Sequence, residues 1–211
     1  MSRTRALPPA LLLLTLASLP SQAFAQTSSQ PTDVIFVRYE GNPGRRVWRM
    51  RRFDTDAHED RLNWDKSLML DRDSVGAGVA INNDNEVFAV GWSSPGGSNR
   101  NSIRIKNFDP HGVEVTANWD KYIAGGYATA TATDHNGNLY VAGTHHSPAP
   151  QYNNWWLKKF DPAGNEITAG WNKILHGGTY HDDPYDILTD TMGNVYVIGF
   201  AFDASNYGWW I

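Results

Sequence analysis

The sequence predicts an all-β protein: a β-propeller built of four-stranded antiparallel blades, incomplete at roughly three and a half repeats across residues 33–211. Three observations predict it. First, markers recur together. Phe53-Asp54, Phe108-Asp109 and Phe160-Asp161 are spaced by 55 and 52 residues, and so are Trp64, Trp119 and Trp171. Each Trp is followed by Asp65, Asp120 or Asn172 and then by a lysine. An aromatic in a β-rich run, Phe36, Phe88, Tyr140 and Tyr196, recurs at 52, 52 and 56. Second, turn chemistry separates short alternating runs. Third, no segment has a helical period.

The clearest copy gives the strands in order. Ala128 to Thr133 (ATATAT) alternates small and β-branched residues and ends at the turn Asp134-His135-Asn136-Gly137. Asn138 to Thr144 (NLYVAGT) is a second strand, and Trp155 to Phe160 a third. Asp161-Pro162-Ala163-Gly164 suits a type I turn followed by a left-handed glycine. Glu166 to Leu175 carries the fourth strand. Gly78, Ala80, Ala130 and Ala132 keep the innermost strand slim, as sheets converging on an axis require. The first copy departs from this pattern: Asp33 to Tyr39 lacks both glycines, and Asp54-Thr55-Asp56-Ala57 lacks the Pro and the Gly. The run starts in the second strand of a unit and stops at Trp209-Trp210-Ile211, which aligns with Trp155-Trp156-Leu157. The expectation is a truncated propeller, with open edges for missing blades or another chain.

"GNLYVAG" and "WWLKKFDPAGNE" resemble the bacterial secreted β-propeller repeat (SBBP-type) family. The resemblance covers residues 33–211 and implies the fold. It implies no catalytic residue, since the family shares none.

The start of the chain reads as a secretory signal peptide over residues 1–25: Arg3 and Arg5, an apolar run from Ala6 to Leu19, then Ala23-Phe24-Ala25. The apolar run is shorter than the ~20 residues a membrane span needs. Residues 26–32 (QTSSQPT) form a polar linker. Without residues 1–25 there remain 16 basic and 22 acidic residues, a net charge of −6, which argues against nucleic-acid partners. The absence of cysteine removes disulfides and thiolate metal sites. The protein is therefore expected to be secreted, periplasmic or on a bacterial cell surface, with no membrane span once the leader is gone.

Spacing locates the working face. The Phe-to-Trp interval is 11 residues in all three copies, whereas the loops on the other side vary in length. Variable loops on a rigid scaffold are where function concentrates. His145, His146 and Tyr152 lie in one such loop, and Tyr180, His181, Asp182 and Asp183 in the next. A His/Asp cluster has the chemistry to hold a metal or a general base, but no ligand spacing such as H-E-x-x-H occurs. No metal or cofactor is expected, and the Asn/Asp-rich turns read as hairpins. Trp48, Ile103, Trp155 and Trp209 share one always-apolar position and read as core. The neighbouring position holds Arg49, Arg104, Trp156 and Trp210, so Trp156 and Trp210 join the candidate ligand contacts. The expected function is an exported, non-catalytic binding or surface-interaction module for a glycan or an extracellular protein. The alternative is a fragment of a propeller-fold polysaccharide hydrolase or lyase.

Overall fold

The computed structural model describes residues 34–54, 56–96, 101–146, 153–175, 181–203 and 206–210. The leader, the linker, Tyr152 and Tyr180 lie outside them, as does the side chain of Trp210. Among the described residues there are only strands and turns, arranged as four antiparallel sheets in chain order. Sheet 1 holds β1 (Val34–Glu40), β2 (Val47–Phe53) and β3 (Lys66–Leu68). Sheet 2 holds β4 (Asp73–Ile81), β5 (Val87–Ser94) and β6 (Ser102–Phe108), with its outer strand split into β7 (Glu114–Val115) and β8 (Lys121–Ala124). Sheet 3 holds β9 (Gly126–Thr133), β10 (Leu139–His145), β11 (Asn154–Phe160) and β12 (Lys173–Leu175). Sheet 4 holds β13 (Asp183–Thr189), β14 (Val195–Asp203) and β15 (Asn206–Trp210). Neighbours in sequence are neighbours in the ladder, except that β7 and β8 both pair with β6, so each sheet is a meander.

One local rule makes most of the hairpins. At the end of each inner or third strand stands an Asp or Asn whose side-chain oxygen accepts backbone N–H groups two and four residues on: Asn82 from Asp84 and Glu86, Asp109 from His111 and Val113, Asp134 from Asn136 and Asn138, Asp190 from Met192 and Asn194. These are hairpin turns made by Asx chemistry. The residue three after the Asp or Asn is left-handed, and in the D-P-x-G turns Gly112 and Gly164 have φ of 77° and 84°. Those glycines have a second reason. A Cβ on Gly112 would stand 2.5 Å from the Asn63 carbonyl oxygen, and one on Gly164 2.6 Å from that of Asn118, so each sheet's turn rests on the corner of the sheet before it.

Strand alternation then sends each middle strand's side chains into two different cores. Ile35, Val37, Trp48, Met50 and Trp64 of sheet 1 pack against Val87, Ala89 and Phe108 of sheet 2. Phe88, Val90, Ile103, Ile105 and Trp119 leave sheet 2 on its other side and meet Leu139, Val141, Trp156 and Phe160 of sheet 3. Tyr140, Ala142, Trp155 and Leu157 in turn meet Ile187 and Val197 of sheet 4. The arrangement is propeller-like: small meander sheets stacked face to face, with the first strands of sheets 2, 3 and 4 side by side.

Register corrects one marker. Phe88 pairs with Asn107 and Tyr140 with Lys159, one step inside Phe108 and Phe160; the residue paired one step inside Phe53 is Ile35, opposite Arg52. Ile35, not Phe36, is the equivalent of Phe88 and Tyr140. Because a strand alternates faces, a one-residue slip moves a side chain to the opposite side of the sheet.

Candidate functional site

The loop ends of sheets 3 and 4 gather most of the residues singled out from the sequence. A repeated backbone bond aligns them: Ser74 N–H donates to Arg46 O, Gly126 N–H to Asn101 O and Asp182 N–H to Asn153 O, at 2.9, 3.1 and 2.9 Å. Each ties the first strand of one sheet to the chain entering the third strand of the sheet before. Between sheets 1 and 2 that joint is closed by charge, with Arg46 Nε and Nη2 donating to both Asp73 oxygens at 2.9 and 2.6 Å, under the rings of Tyr39 and Trp92. Between sheets 3 and 4 a chain of side-chain hydrogen bonds takes its place.

That chain runs from His146 to Asp183. His146 Nδ1 lies 2.7 Å from Asn153 Oδ1, which can only accept, so Nδ1 carries the proton. The imidazole stands edge-on to Tyr127 at 5.5 Å. Asn153 Nδ2 faces the Tyr127 hydroxyl at 3.5 Å, and that hydroxyl donates to Asp183 Oδ1 at 2.8 Å. Thr144 Oγ1 donates to the same oxygen at 2.6 Å. Burial, followed by the Asp183 charge, pushes the Tyr127 pKa well above the usual phenol range, so Tyr127 remains a donor. Asp182 is fully buried and accepts from the Phe202 amide at 3.0 Å. His145 is half-buried with its Nδ1 unpartnered; burial, then the neighbouring His146, pushes its pKa down. His181 is exposed. The structure therefore joins His146 and Asp183 through Asn153 and Tyr127, which sequence reading did not single out. Among the described residues no three His, Asp or Glu side chains converge as a metal site.

Trp156 requires correction as a ligand contact. It is 3% exposed and packs between sheets 2 and 3 with Ile103, Ile105 and Phe160. The paired tryptophans point in opposite directions, Trp155 toward sheet 4 and Trp156 toward sheet 2, and both are interior. Arginine is tolerated at the equivalent position because Arg104 lies along the ring of Tyr122 (5.1 Å) and Arg49 pairs with Asp65 (2.8 Å). For Trp210, β15 places its backbone opposite Gly199.

A second place comes from the inner strands. β4 around Gly78, β9 around Ala130 and β13 from Asp186 to Thr189 line a groove of about 210 Å3. Asp186 pairs with Ile198 as Ala130 pairs with Ala142 and Gly78 with Val90, so a carboxyl stands where the other sheets carry a glycine and an alanine. It accepts from the Ile187 amide at 2.8 Å, and burial pushes its pKa up. The groove's threonines direct their protons inward, Thr131 to Tyr140 O and Thr189 to Thr133 O, both at 2.7 Å. An acid in the small-residue register was visible in "YDILT" only by counting back across the bulge between Pro184 and Asp186.

No family model matches the chain, and no curated protein matches it. Among solved structures, a gluconolactonase (XC5397) from Xanthomonas campestris is similar, with a TM-score of 0.49 at 12% identity over 82% of this chain and 52% of that one. A GH43_12 protein retrieved from a capybara gut metagenome has a TM-score of 0.42 at 13% identity, over 83% of this chain and 38% of its own length. The chain thus spans about half of the first and less of the second. No helix among the described residues is long and apolar enough to cross a membrane.

Proposed function

We propose that the four sheets are blades of an incomplete, exported β-propeller of the secreted bacterial repeat type, and that it works as a binding module. It would grip a glycan or a cell-surface protein with the loops rooted at His146, Asn153 and His181. One observation carries the choice of binding over catalysis. The carboxyls at the loop end are committed, Asp183 to the hydroxyls of Tyr127 and Thr144 and Asp182 to the Phe202 amide. A general acid or base must instead reach a substrate proton. The network is suited to fixing two loop roots against each other, which lowers the ordering cost of a loop-borne site.

Affinity electrophoresis through gels containing soluble polysaccharides tests this. Retention by one or more glycans is expected, weakened several-fold in Asn153→Ala with little change in thermal melting. Equal mobility of wild type and variant in every gel, and no captured surface protein, would remove the reading. Export is tested separately: the mature N-terminus should be Gln26.

The hydrolase or lyase reading draws on Asp186 alone, a half-buried acid with a raised pKa in an open groove. Release of reducing ends from a polysaccharide, abolished by Asp186→Asn without loss of fold, would favour it over binding.

A further inference from the structure

The outward face of sheet 4 is built like an interior face. Its positions follow from the register: Tyr196 corresponds to Phe88 and Tyr140, and Ile198 to Val90 and Ala142. In sheets 2 and 3 those residues are sealed by the sheet that follows. In sheet 4 they stand open, with Tyr196 45% and Ile198 38% exposed, flanked on β13 by Leu188 at 53%. The same holds for the tryptophan marker. Trp64 and Trp119 are buried against Phe108 and Phe160 of the following sheet, at ring distances of 6.1 and 6.2 Å, whereas Trp171 is half-buried and meets Tyr140 of its own sheet at 4.9 Å.

The outward face of sheet 1 is built to the opposite rule. Two glycine positions let one sheet approach the sheet before it. A Cβ on Gly91 or Gly199 would first meet the inner strand of its own sheet, at 2.0 Å from Val75 O or 2.3 Å from Asp183 O, and would also come within 2.8 or 2.7 Å of the indole of Trp48 or Trp155 of the preceding sheet. Gly112 and Gly164 leave room for its corner carbonyl. In sheet 1 the first position is Arg38, paired with Arg49 as Gly91 is with Arg104 and Gly199 with Trp210. The second is Ala57, held at φ 63°. Arg38 pairs with Glu40, and Arg49 and Arg51 with Glu40, Asp65 and Glu59. Neither residue leaves the gap that the internal contacts use, so a head-to-tail contact between copies, sheet 1 on sheet 4, lacks both approach positions.

We propose that the outward face of sheet 4 is a docking surface for one further sheet of this same repeat, with glycine at both approach positions, and that sheet 1 is a solvent-facing cap. The inference rests on the blade reading above, but not on what the loops bind. The occupant is fixed by the internal precedent: twice in this chain, the same positions are covered by a sheet bringing Val or Leu on its second strand and Phe on its third. Contiguous exposed apolar surface of this kind marks an interaction site.

The test extends the full chain after Ile211. Adding a copy of residues 158–175 supplies an outer strand only; adding a copy of residues 158–211 followed by a second copy of 158–175 supplies that strand and one more sheet in phase, with its own Phe160 and Gly164 equivalents, since Trp209-Trp210-Ile211 stands where Trp155-Trp156-Leu157 does. The longer extension should raise Tm by several degrees beyond the shorter one and reduce binding of an apolar dye several-fold. Tyr196→Lys in the original sheet 4 should leave the unextended chain's Tm unchanged and erase the gain of the longer extension. Equal melting of the two extensions, or a gain that survives Tyr196→Lys, would overturn the proposal. So would an unextended chain that light scattering shows to be a dimer and that Tyr196→Lys makes monomeric, which would assign the face to a second copy. Glycan retention is measured on the unextended chain, so either reading can fail without the other.

Discussion

Sheets 1 and 4 are made from one repeat, yet their outward faces differ as a surface differs from a core. Sheet 1 presents Arg38, Arg49 and Arg51 among Glu40, Glu59 and Asp65; sheet 4 presents Tyr196, Ile198 and Leu188. The exposed pair Arg38–Glu40 contributes little to stability, about 0–1 kcal/mol, so its role is solvation and edge protection rather than strength, whereas Arg49 and Glu59 are only 19% and 11% exposed. Two small departures, Arg for Gly on β1 and Ala for Gly in the turn, accompany the change. Repeat arrays need a polar cap wherever stacking stops, and sheet 1 satisfies that need while sheet 4 does not.

The largest expected effect tests whether sealing by a following sheet is what separates the two situations. Trp119→Ala should cost about 3–5 kcal/mol, as removal of a buried large aromatic does, because sheet 3 covers it. Trp171→Ala, at the equivalent but half-covered place, should cost clearly less in the same urea titration. Equal losses would mean that the following sheet contributes little and would weaken the contrast between the faces.

Trp156→Ala should fall with Trp119→Ala, at about 3–5 kcal/mol, since it lies in the same core. The sequence pointed the other way, because arginine occupies two equivalent positions. A loss under about 1 kcal/mol, with weakened glycan retention, would restore Trp156 to the ligand site.

The third-strand turns give a smaller effect, with opposite signs in sheet 3 and in sheet 1. Gly164→Ala should destabilise by about 1–3 kcal/mol, combining a left-handed backbone with a clash against the Asn118 carbonyl. Ala57→Gly should be neutral or stabilising by no more than about 1 kcal/mol, because it relieves the same backbone with no preceding sheet among the described residues to meet. Matching signs would remove the idea that sheet 1's turn is a cap.

Strands, turns and the repeat were legible because each has a local chemical signature, an Asx turn or a two-residue alternation, that needs no partner to be recognised. Face assignment was less so. Phe36 matched Phe88 in type, yet the residue that pairs with Arg52, as Phe88 pairs with Asn107, is Ile35, and pairing is non-local. The loop network was half visible: the chemistry of His146 and Asp183 marked them out, whereas nothing in residue type marked Tyr127 and Asn153, which the inter-sheet bond at Asp182 brings together. Burial of Trp156 and the acid in the inner groove both depended on which sheet lies opposite, which residue type alone does not encode.

The smallest effects are in pH dependence, and here too the two ends oppose each other. Asp73, joining sheets 1 and 2, is held below the ordinary carboxylate value mainly by its hydrogen bonds from Arg46. A depressed folded value means that stability is present above the unfolded value of ~3.9 and is lost as pH falls through the folded one. Asp186, in sheet 4, is pushed up by burial. A raised folded value means that its contribution is complete below ~3.9 and is lost as pH rises through the folded value, so at neutral pH the ionised group is a liability. Asp73→Asn should therefore flatten the acid limb of a Tm-against-pH profile. Asp186→Asn should flatten the limb above pH 4 and raise Tm at pH 7. An Asp186→Asn profile parallel to wild type across that limb would show that its carboxyl is fully solvated in the groove, and the hydrolase reading would then lose the group it draws on.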